Sequence, residues 1–468
     1  MEHRLISKSS FIRGSQCQKS LWLHFNQPDE RCETSDAQQQ IFDTGHYVGL
    51  LAQQLFPGGI DASRGEPGQL AEALAYTAEL IGNGERVIYE AAFSDGETLC
   101  YMDILVKEAD GWAAYEVKAS TRVKDYQVND VAYQYYVIAR AGLPLRRVSL
   151  VHLNNQYVRR GELDLQQLFT IENMTERILP MQAAIPGRLY SLLDMLKEGI
   201  MPEISMGPQC GNPFSCDFIE FCRESLPQPL PNQGGESESR NQDALNEFLE
   251  ELVYPLYFMD FETIQFGVPR YDESRPYQQI PFQYSMHIQT SSEVARWRGS
   301  ENKNLRIDEK GSDLSHYEFL GAPPADPRPE FIESLLARLG TSGSIIVWNQ
   351  AFENTRLREI ARDFPEYAAR IDCLFARVAD LMVPFRRKHL CTPEMNGSYS
   401  LKAVMPALIP DLSYAGLEIQ EGGTASMTYE SLYRDEDPES QQVKRENLLE
   451  YCKMDTLSMV RILELLKP

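Results

Sequence analysis

The sequence of 468 residues has no run approaching the roughly 20 consecutive apolar residues that a membrane-spanning helix needs. A helical membrane protein is therefore not expected. The opening stretch, MEHRLISKSSFIRGSQ, lacks the apolar core of a secretory signal, so the expected compartment is the cytoplasm. Internal repeats, heptad arrays and long charge blocks are missing, which removes solenoids and coiled coils. Basic residues are scarce: 45 Lys and Arg stand against 68 Asp and Glu, a net charge of −23. That argues against a binder drawn to nucleic acid by charge alone. It does not argue against an enzyme that acts on nucleic acid, because such enzymes gather carboxylates to hold divalent metals. A disulfide framework is also unlooked for, since the nine cysteines are unevenly spaced and the cytoplasm is reducing. What remains, 43% hydrophobic and 24% charged residues, is ordinary globular composition, and the length suggests two to four domains.

One segment breaks the pattern. Residues 226–242, LPQPLPNQGGESESRNQ, have linker composition and separate two parts of similar size, 1–225 and 243–468. In the first part, FDTGHYVGLLAQQL (42–55) carries helical spacing and is ended by Pro57-Gly58-Gly59. RVIYEAAF, TLCYMDILV and WAAYEVKAS read as strands, the last two as a hairpin across EADG. A helix is predicted around VNDVAYQYYVIARAG, and VSLVHL is a further strand. In the second part, ALNEFLEEL reads as a helix and YPLYFMDFETI as a buried strand. SIIVWN (344–349) is another strand, AFENTRLREIARDF a helix, and ENLLEYCKMDTLSMVRILELL a terminal amphipathic helix. Both parts are α/β.

The first group of chemical interest is Asp103, Glu116 and Lys118. Glu116 and Lys118 are two apart on a strand and share a face. Asp103, on the preceding hairpin strand, can lie beside them. Two carboxylates suit Mg²⁺ or Mn²⁺, and a neighbouring lysine suits an attacking water or developing phosphate charge. The bare spacing is more often that of a surface hairpin with an Asp and a Glu–Lys pair, since D…ExK occurs often by chance. The apolar surroundings, Ile104, Leu105, Val106 and Val117, favour function, because a charge inside an apolar strand needs a reason.

With these residues in place, the region 1–225 resembles the PD-(D/E)XK nuclease superfamily, in its RecB-like branch, which includes CRISPR-associated exonucleases of the iron–sulfur type. The resemblance implies a restriction-endonuclease-like fold. It also implies a metal-ligand histidine on an upstream helix, here His46 in TGHYVG, and a glutamine on the following helix, here Gln134 in VAYQYYV. His46 is equally a surface histidine and Gln134 a buried structural amide. Cys210, Cys216 and Cys222 stand two five-residue gaps apart, wider than the CxxC pairs of most zinc ribbons. The resemblance adds Cys17 and implies that these four thiolates hold a 4Fe–4S cluster, with zinc as the runner-up and buried free thiols as the plain alternative. Such a cluster is expected to be structural, stapling the two ends of the domain. Cys32, Cys100, Cys373, Cys391 and Cys452 read as ordinary buried thiols.

The second group is Asp260, Glu262, Glu353, Tyr451 and Asp455. Asp260 and Glu262 share a strand face, and Tyr451 and Asp455, four apart, share a helix face. Carboxylates converging from separate elements make a two-metal site, with the tyrosine hydroxyl orienting water. The set resembles the DnaQ-like DEDD exonucleases of ribonuclease-H fold, in their tyrosine-bearing subclass. Asp260-x-Glu262 is the first motif and Tyr451-x-x-x-Asp455 the third. Asn349-Gln350-Ala351-Phe352-Glu353 is the second, with Glu353 where the family has Asp. Serine-leucine-lysine at 400–402 resembles a segment that precedes the last motif in such domains. Lys402 either contacts phosphate or is solvated, and so does the basic run Arg386, Arg387, Lys388 and His389.

The two resemblances together imply a metal-dependent nuclease of two nuclease-type domains, fused as in a bacterial family of predicted nucleases. It would hydrolyse DNA, single-stranded DNA most naturally, with RNA left open, and the second domain would run 3′–5′. Two other readings stay open. In one, one of the two domains, the C-terminal one in preference because of Glu353, is a catalytically degenerate nucleic-acid-binding platform. In the other, the protein is a scaffold subunit of a repair, recombination or defence complex, whose acidic surface suits protein partners.

Overall fold

Runs of β-branched and aromatic residues in each half of the sequence become two mixed sheets with helices packed on them, so the architecture is α/β. The computed structural model describes residues 5–63, 69–224, 238–290, 306–307 and 313–468. The chain divides into two units: Met1–Leu230 with Gly267–Tyr277, and Pro231–Phe266 with Gln278–Pro468. The stretch 267–277, which the sequence places in the second part, thus belongs to the first unit. There the Tyr277 hydroxyl donates to the Ala119 carbonyl at 2.5 Å, and Arg159 Nη1 donates to the Pro269 carbonyl at 2.9 Å. No described helix is long and apolar enough to cross a membrane.

The first unit opens with β1 (Ile6–Ser7), α1 (Lys8–Gln16) and α2 (Gln18–Asn26). Then come α3 (Asp36–Gln53), β2 (Ile60–Asp61), α4 (Leu70–Asn83), β3 (Val87–Ser94), β4 (Thr98–Glu108) and β5 (Gly111–Lys118). It continues through α5 (Asp125–Arg140), β6 (Leu145–Leu153) and β7 (Phe169–Asn173). The sheet runs β2-β3-β4-β5-β6-β7, with β1 added parallel to β4. β3, β4 and β5 are antiparallel, and α5 carries the chain over to the parallel β6. Its apolar positions at helical spacing, among them Val128, Val131, Ala132 and Ile138, pack into the core beside Leu105 and Leu150. Helix α3 buries only Val48, Leu51 and Ala52.

The second unit begins within the stretch read as a linker. Residues 225–237 lie outside the described residues, but β8 (Ser239–Arg240) pairs with β15 (Leu390–Cys391), and a helix starts at Gln242. Asn241 caps that helix, its side-chain oxygen accepting from Ala244 N at 3.2 Å, so the polar residues at this end belong to a cap. The main sheet contains β9 (Leu256–Gln265), β10 (Gln279–Gln289), β11 (Arg306–Ile307), β12 (Asp313–Leu320), β13 (Ile345–Val347) and β14 (Val378–Asp380). Its order is β11-β12-β10-β9-β13-β14. β12, β10 and β9 are antiparallel, while β9, β13 and β14 are parallel.

Strand alternation in β9 sends Tyr257, Met259 and Phe261 into a core with Phe331, Leu335, Leu357 and Ile360. Asp260 and Glu262 take the opposite face. The terminal helix Pro438–Leu466 buries Leu448, Tyr451, Cys452, Asp455, Thr456 and Met459, one stripe at helical spacing, and packs on β9 and β10.

At Gly343 the backbone has φ +94°, and an added Cβ would stand 2.2 Å from the Pro255 carbonyl oxygen. Gly343→Ala is expected to cost on the order of 2 kcal/mol or more, because both the left-handed backbone and the space exclude a side chain. A denaturant titration checks it, and an unchanged midpoint would contradict the close approach.

Candidate active sites

The β4–β5 hairpin builds the centre of the first unit. Register pairs Ile104 with Tyr115, and one step further puts Asp103 across from Glu116. On the other side, pairs Tyr89–Ile104 and Ala91–Met102 bracket Glu90 opposite Asp103. Glu90, Asp103 and Glu116 thus form one row of carboxylates across three strands. Glu90 sits at φ +52° inside β3, a position a non-glycine residue rarely takes.

Glu116 is 1% exposed and fully engaged. It takes Lys8 Nζ at 2.6 Å and Lys118 Nζ at 2.9 Å on Oε1, and Gln134 Nε2 at 2.7 Å on Oε2. Lys118 also reaches Asp130 at 2.6 Å, and Asp103 Oδ2 accepts from Val117 N at 2.6 Å.

The charges divide the row. Burial pushes Glu116 up, but Lys118 and Lys8 outweigh it and hold the carboxyl down at about 2. Burial and then the charge on Glu116 push Asp103 up to about 8. Burial, with Asp61 and Glu116 adding to it, carries Glu90 to about 7.

Elsewhere in this unit, Cys17, Cys210, Cys216 and Cys222 line one cavity, with Lys19, Ser20 and Phe218 among its walls. Burial raises the Cys222 thiol, Lys19 opposes it, and Cys216, Cys17 and Cys210 add to it. The ends of the unit are clamped beside the cavity. Arg13 grips Asp217 with two guanidinium nitrogens, Arg31 reaches the same carboxylate at 3.1 Å, and Gln16 Nε2 donates to the Gln209 and Phe214 carbonyls. Of the other cysteines, Cys100, Cys391 and Cys452 are buried, Cys32 is half-buried and Cys373 is exposed, so the last two are not core thiols.

In the second unit the unpaired face of β9 meets the terminal helix. Burial, then the charges of Asp455, Glu262 and Glu353 in that order, raise Asp260 well above the usual carboxylate range. Burial and Asp455 push Glu262 up to about 8, with Lys402 opposing. Burial takes Asp455 to about 6, held back by the Tyr414 hydroxyl that donates to its Oδ1 and by Lys402. Glu353 stands in the first turn of the helix Gln350–Asp363. That helix leaves the carboxyl end of β13, the neighbour of β9, and the charge of its Glu353 acts on Asp260. Burial pushes Glu353 to about 8, Asp380 adding to it, and its Oε2 is buried without a hydrogen-bond partner.

Tyr451 is 3% exposed, its ring 6.1 Å from that of Tyr414, and Lys402 Nζ lies over both rings at 5.2 and 5.6 Å. Cys452 Sγ lies 3.9 Å from Asp260 Oδ2. Among the described residues, one set of three His, Cys, Asp or Glu side chains places a ligand atom each within 4.8 Å of one another: Asp260, Glu262 and Cys452.

The structure therefore gathers Asp103, Glu116, Lys118 and Gln134 in one place and Asp260, Glu262, Glu353, Tyr451 and Asp455 in another. It does not bring His46 in. His46 is exposed on α3, two positions before the buried Val48 and so on the far side of the helix, and it is not among the charges acting on Asp103 or Glu116. Of the basic run, Arg386 reaches Asp380 at 3.9 Å. Lys402 points its ammonium at the Gln420 carbonyl, 2.6 Å away, above the two tyrosines. Sequence reading missed Lys8, Glu90, Asp130 and Tyr414; Cys452 is buried, as expected.

Residues 257–400 match a family model described as a domain of unknown function, DUF2779. Among curated proteins, the chain is similar to the uncharacterized protein MG366 homolog of Mycoplasma pneumoniae, 24% identical over 44% of this chain and 31% of that protein. It is also similar to the uncharacterized protein UU173 of Ureaplasma parvum, 27% identical over 36% of this chain and 23% of that protein. The uncharacterized protein MG366 of Mycoplasma genitalium is 26% identical over 44% of this chain and 31% of its own length. The chain spans less than a third of the length of each of these relatives in the matched region.

The crowded carboxylates predict a pH effect with a definite sign. Asp103, Glu262 and Glu353 are raised to about 8 on folding, so the metal-free native state binds more protons than the unfolded chain above about pH 4. Stability should fall as pH rises from about 5 to 8, then level. The depressed Glu116 acts only lower, where stability is lost as pH drops toward 2. Calorimetry in EDTA should show the falling midpoint. Glu262→Gln, which removes a carboxyl forced to ionise near pH 8, should raise it there by a few degrees, on the order of 1 kcal/mol. A pH-independent midpoint would count against the repulsive clusters.

Proposed function

We propose that the chain is a metal-dependent nuclease that hydrolyses phosphodiester bonds, most naturally in single-stranded DNA, with one hydrolytic centre in each unit. The observation that carries the reading is the burial of Asp260, Glu262, Glu353 and Asp455, from a strand and two helices, close enough for their charges to act on Asp260, while among the described residues no ammonium or guanidinium forms an ion pair with them. So many desolvated like charges are costly unless a cation joins them. The sheet order supports it too: three antiparallel strands continued by two parallel ones suit a ribonuclease-H-like domain, and the β3-β4-β5-α5-β6 unit suits a restriction-endonuclease-like one. Such likeness speaks for fold, and the activity rests on the side chains.

Divalent Mg²⁺ or Mn²⁺ bound here would lower the pKa of a water and stabilise the leaving oxygen. The chain's own contribution follows from its geometry. In the second unit Asp260, Glu262, Glu353 and Asp455 would hold the ions, Tyr414 fixes the Asp455 carboxylate, and the Tyr451 phenol orients water. Glu353, whose charge acts on Asp260, would bring its carboxylate from the neighbouring helix. In the first unit Asp103 and Glu116 are the ion-holding pair. Lys118, kept charged by Glu116 and Asp130, faces developing phosphate charge, while Gln134 fixes Glu116.

For Cys17, Cys210, Cys216 and Cys222, the donor set suits a thiolate-bound group. No three of them fall within 4.8 Å of one another, whereas thiolates on one zinc at about 2.3 Å would sit about 3.8 Å apart. The wider spacing favours a 4Fe–4S cluster, whose role is to hold the ends of the unit together. Purified protein should contain about four iron atoms per chain with visible thiolate–iron absorption. Cys216→Ser should lose the colour and lower the stability of the first unit. One zinc and no iron would replace the cluster reading.

The test of the function uses single-stranded DNA labelled at either end, with Mg²⁺ or Mn²⁺ and with EDTA. Lys118→Ala and Asp260→Ala are each expected to remove a distinct EDTA-sensitive pattern, by about 100-fold or more. If Asp260→Ala changes nothing while Lys118→Ala abolishes cleavage, the second unit is a binding platform. Wild-type protein inert on DNA and RNA with every metal would overturn the proposal.

A further inference from the structure

The terminal helix brings a sulfur to the carboxylates of the second unit. Cys452 follows Tyr451 directly and precedes Asp455 by three residues, on the stripe that faces β9. Its Sγ is fully buried, 3.8 Å from the Asp260 carbonyl oxygen and 3.9 Å from Asp260 Oδ2. One atom each from Asp260, Glu262 and Cys452 lie within 4.8 Å of one another. Donors on one tetrahedral metal at about 2.0–2.3 Å sit about 3.3–3.8 Å apart, so an inward shift of about an ångström brings these three atoms onto one ion. A second observation points at the same place. Glu353, 3% exposed, has an unpartnered buried Oε2, and its charge acts on Asp260. A buried carboxylate oxygen without a donor is a strong claim on a cation.

We propose that Asp260, Glu262 and Cys452 form a mixed carboxylate–thiolate site that takes a borderline-soft divalent cation of the Zn²⁺ or Cd²⁺ class in preference to Mg²⁺. Mg²⁺ is hard, demands oxygen ligands in octahedral array and gains nothing from sulfur. Zn²⁺ accepts two oxygens and a thiolate in tetrahedral geometry and leaves a fourth position for water. On binding, the metal–sulfur bond replaces the S–H bond and the proton leaves to solvent, with no change of oxidation state. Cys452 is thereby a selector of the ion. An all-oxygen centre would run on whichever hard ion is abundant, whereas this one is poisoned or retuned by thiophilic metals. The proposal rests on reading this centre as a metal site, and not on the reaction performed there.

The experiment titrates the metal-free full-length protein with Cd²⁺, following thiolate-to-metal charge-transfer absorption in the ultraviolet, and with Zn²⁺, Mn²⁺ and Mg²⁺ by calorimetry. Wild type is compared with Cys452→Ser, Cys452→Ala and Asp260→Asn. The cysteines of the first unit bind Cd²⁺ equally in all four proteins, so the difference spectrum isolates Cys452. The expected result is one Cd²⁺ step per chain that is lost in both Cys452 variants and in Asp260→Asn. Zn²⁺ affinity should fall at least tenfold in Cys452→Ser, while Mg²⁺ affinity stays within twofold. Circular dichroism identifies a variant that fails to fold, and the second Cys452 variant then carries the comparison. If both folded Cys452 variants keep the Cd²⁺ step and the Zn²⁺ affinity, Cys452 only packs, and the proposal falls while the carboxylate site stands. If wild type and Asp260→Asn bind every divalent ion alike, the metal site itself falls. A protein that binds as expected but cleaves no nucleic acid keeps this proposal and loses the nuclease reading.

Discussion

Like-charge crowding on one face of β9 is the constraint to which the second unit answers. Asp260 and Glu262 cannot turn away from each other, because strand alternation commits Tyr257, Met259 and Phe261 to the core on the other side. Asp455 cannot retreat, because the terminal helix is anchored through Leu448, Cys452, Thr456 and Met459. Glu353 is fixed by the helix that follows β13. The packing of apolar neighbours therefore forces four carboxylates together, and the protein tolerates them by letting them hold protons. Such stored strain has a use only if something positive relieves it.

The first unit handles the same problem differently. Its Glu90, Asp103 and Glu116 row carries its own cations, Lys8 and Lys118, so Glu116 stays ionised while Asp103 and Glu90 keep protons near neutrality. Helix α1 ties this centre to the cysteine cavity. Lys8 begins the helix at Glu116, Arg13 lies along it at Asp217, and Gln16 with Cys17 ends it at the cavity. One nine-residue helix carries side chains to both places.

Much of this was legible in the sequence for a physical reason. Pairs two apart on a strand, Asp260 with Glu262 and Glu116 with Lys118, or four apart on a helix, Tyr451 with Asp455, are set by local geometry alone. The α/β character, the β4–β5 hairpin and the terminal helix follow from periodicity. What stayed hidden depends on long-range approach. Lys8 is 108 positions from Glu116, and Tyr414 is 41 from Asp455. Glu90 looks like any strand residue until register places it opposite Asp103. β10 and β12 were not read as strands, and no composition shift marks 267–277 as part of the first unit. His46 erred the other way: a plausible residue type on a real helix, but on the face turned from Val48, Leu51 and Ala52.

The two centres also differ in what a cation would have to displace. In the first, an incoming ion competes with Lys8, whose ammonium already sits 2.6 Å from Glu116, and Lys8 is the freer of the two lysines because Lys118 is held by Asp130 as well. Binding there exchanges one positive charge for another and gains less than the full Coulomb energy. In the second, Lys402 acts on Glu262 and Asp455 from above the tyrosine rings without bonding either, so an ion displaces only protons. A cation at the second centre would therefore be controlled by pH, and one at the first by displacement of Lys8 from Glu116. An ion would thus meet two different gates within one chain, both set by which apolar residues the neighbouring elements had to bury.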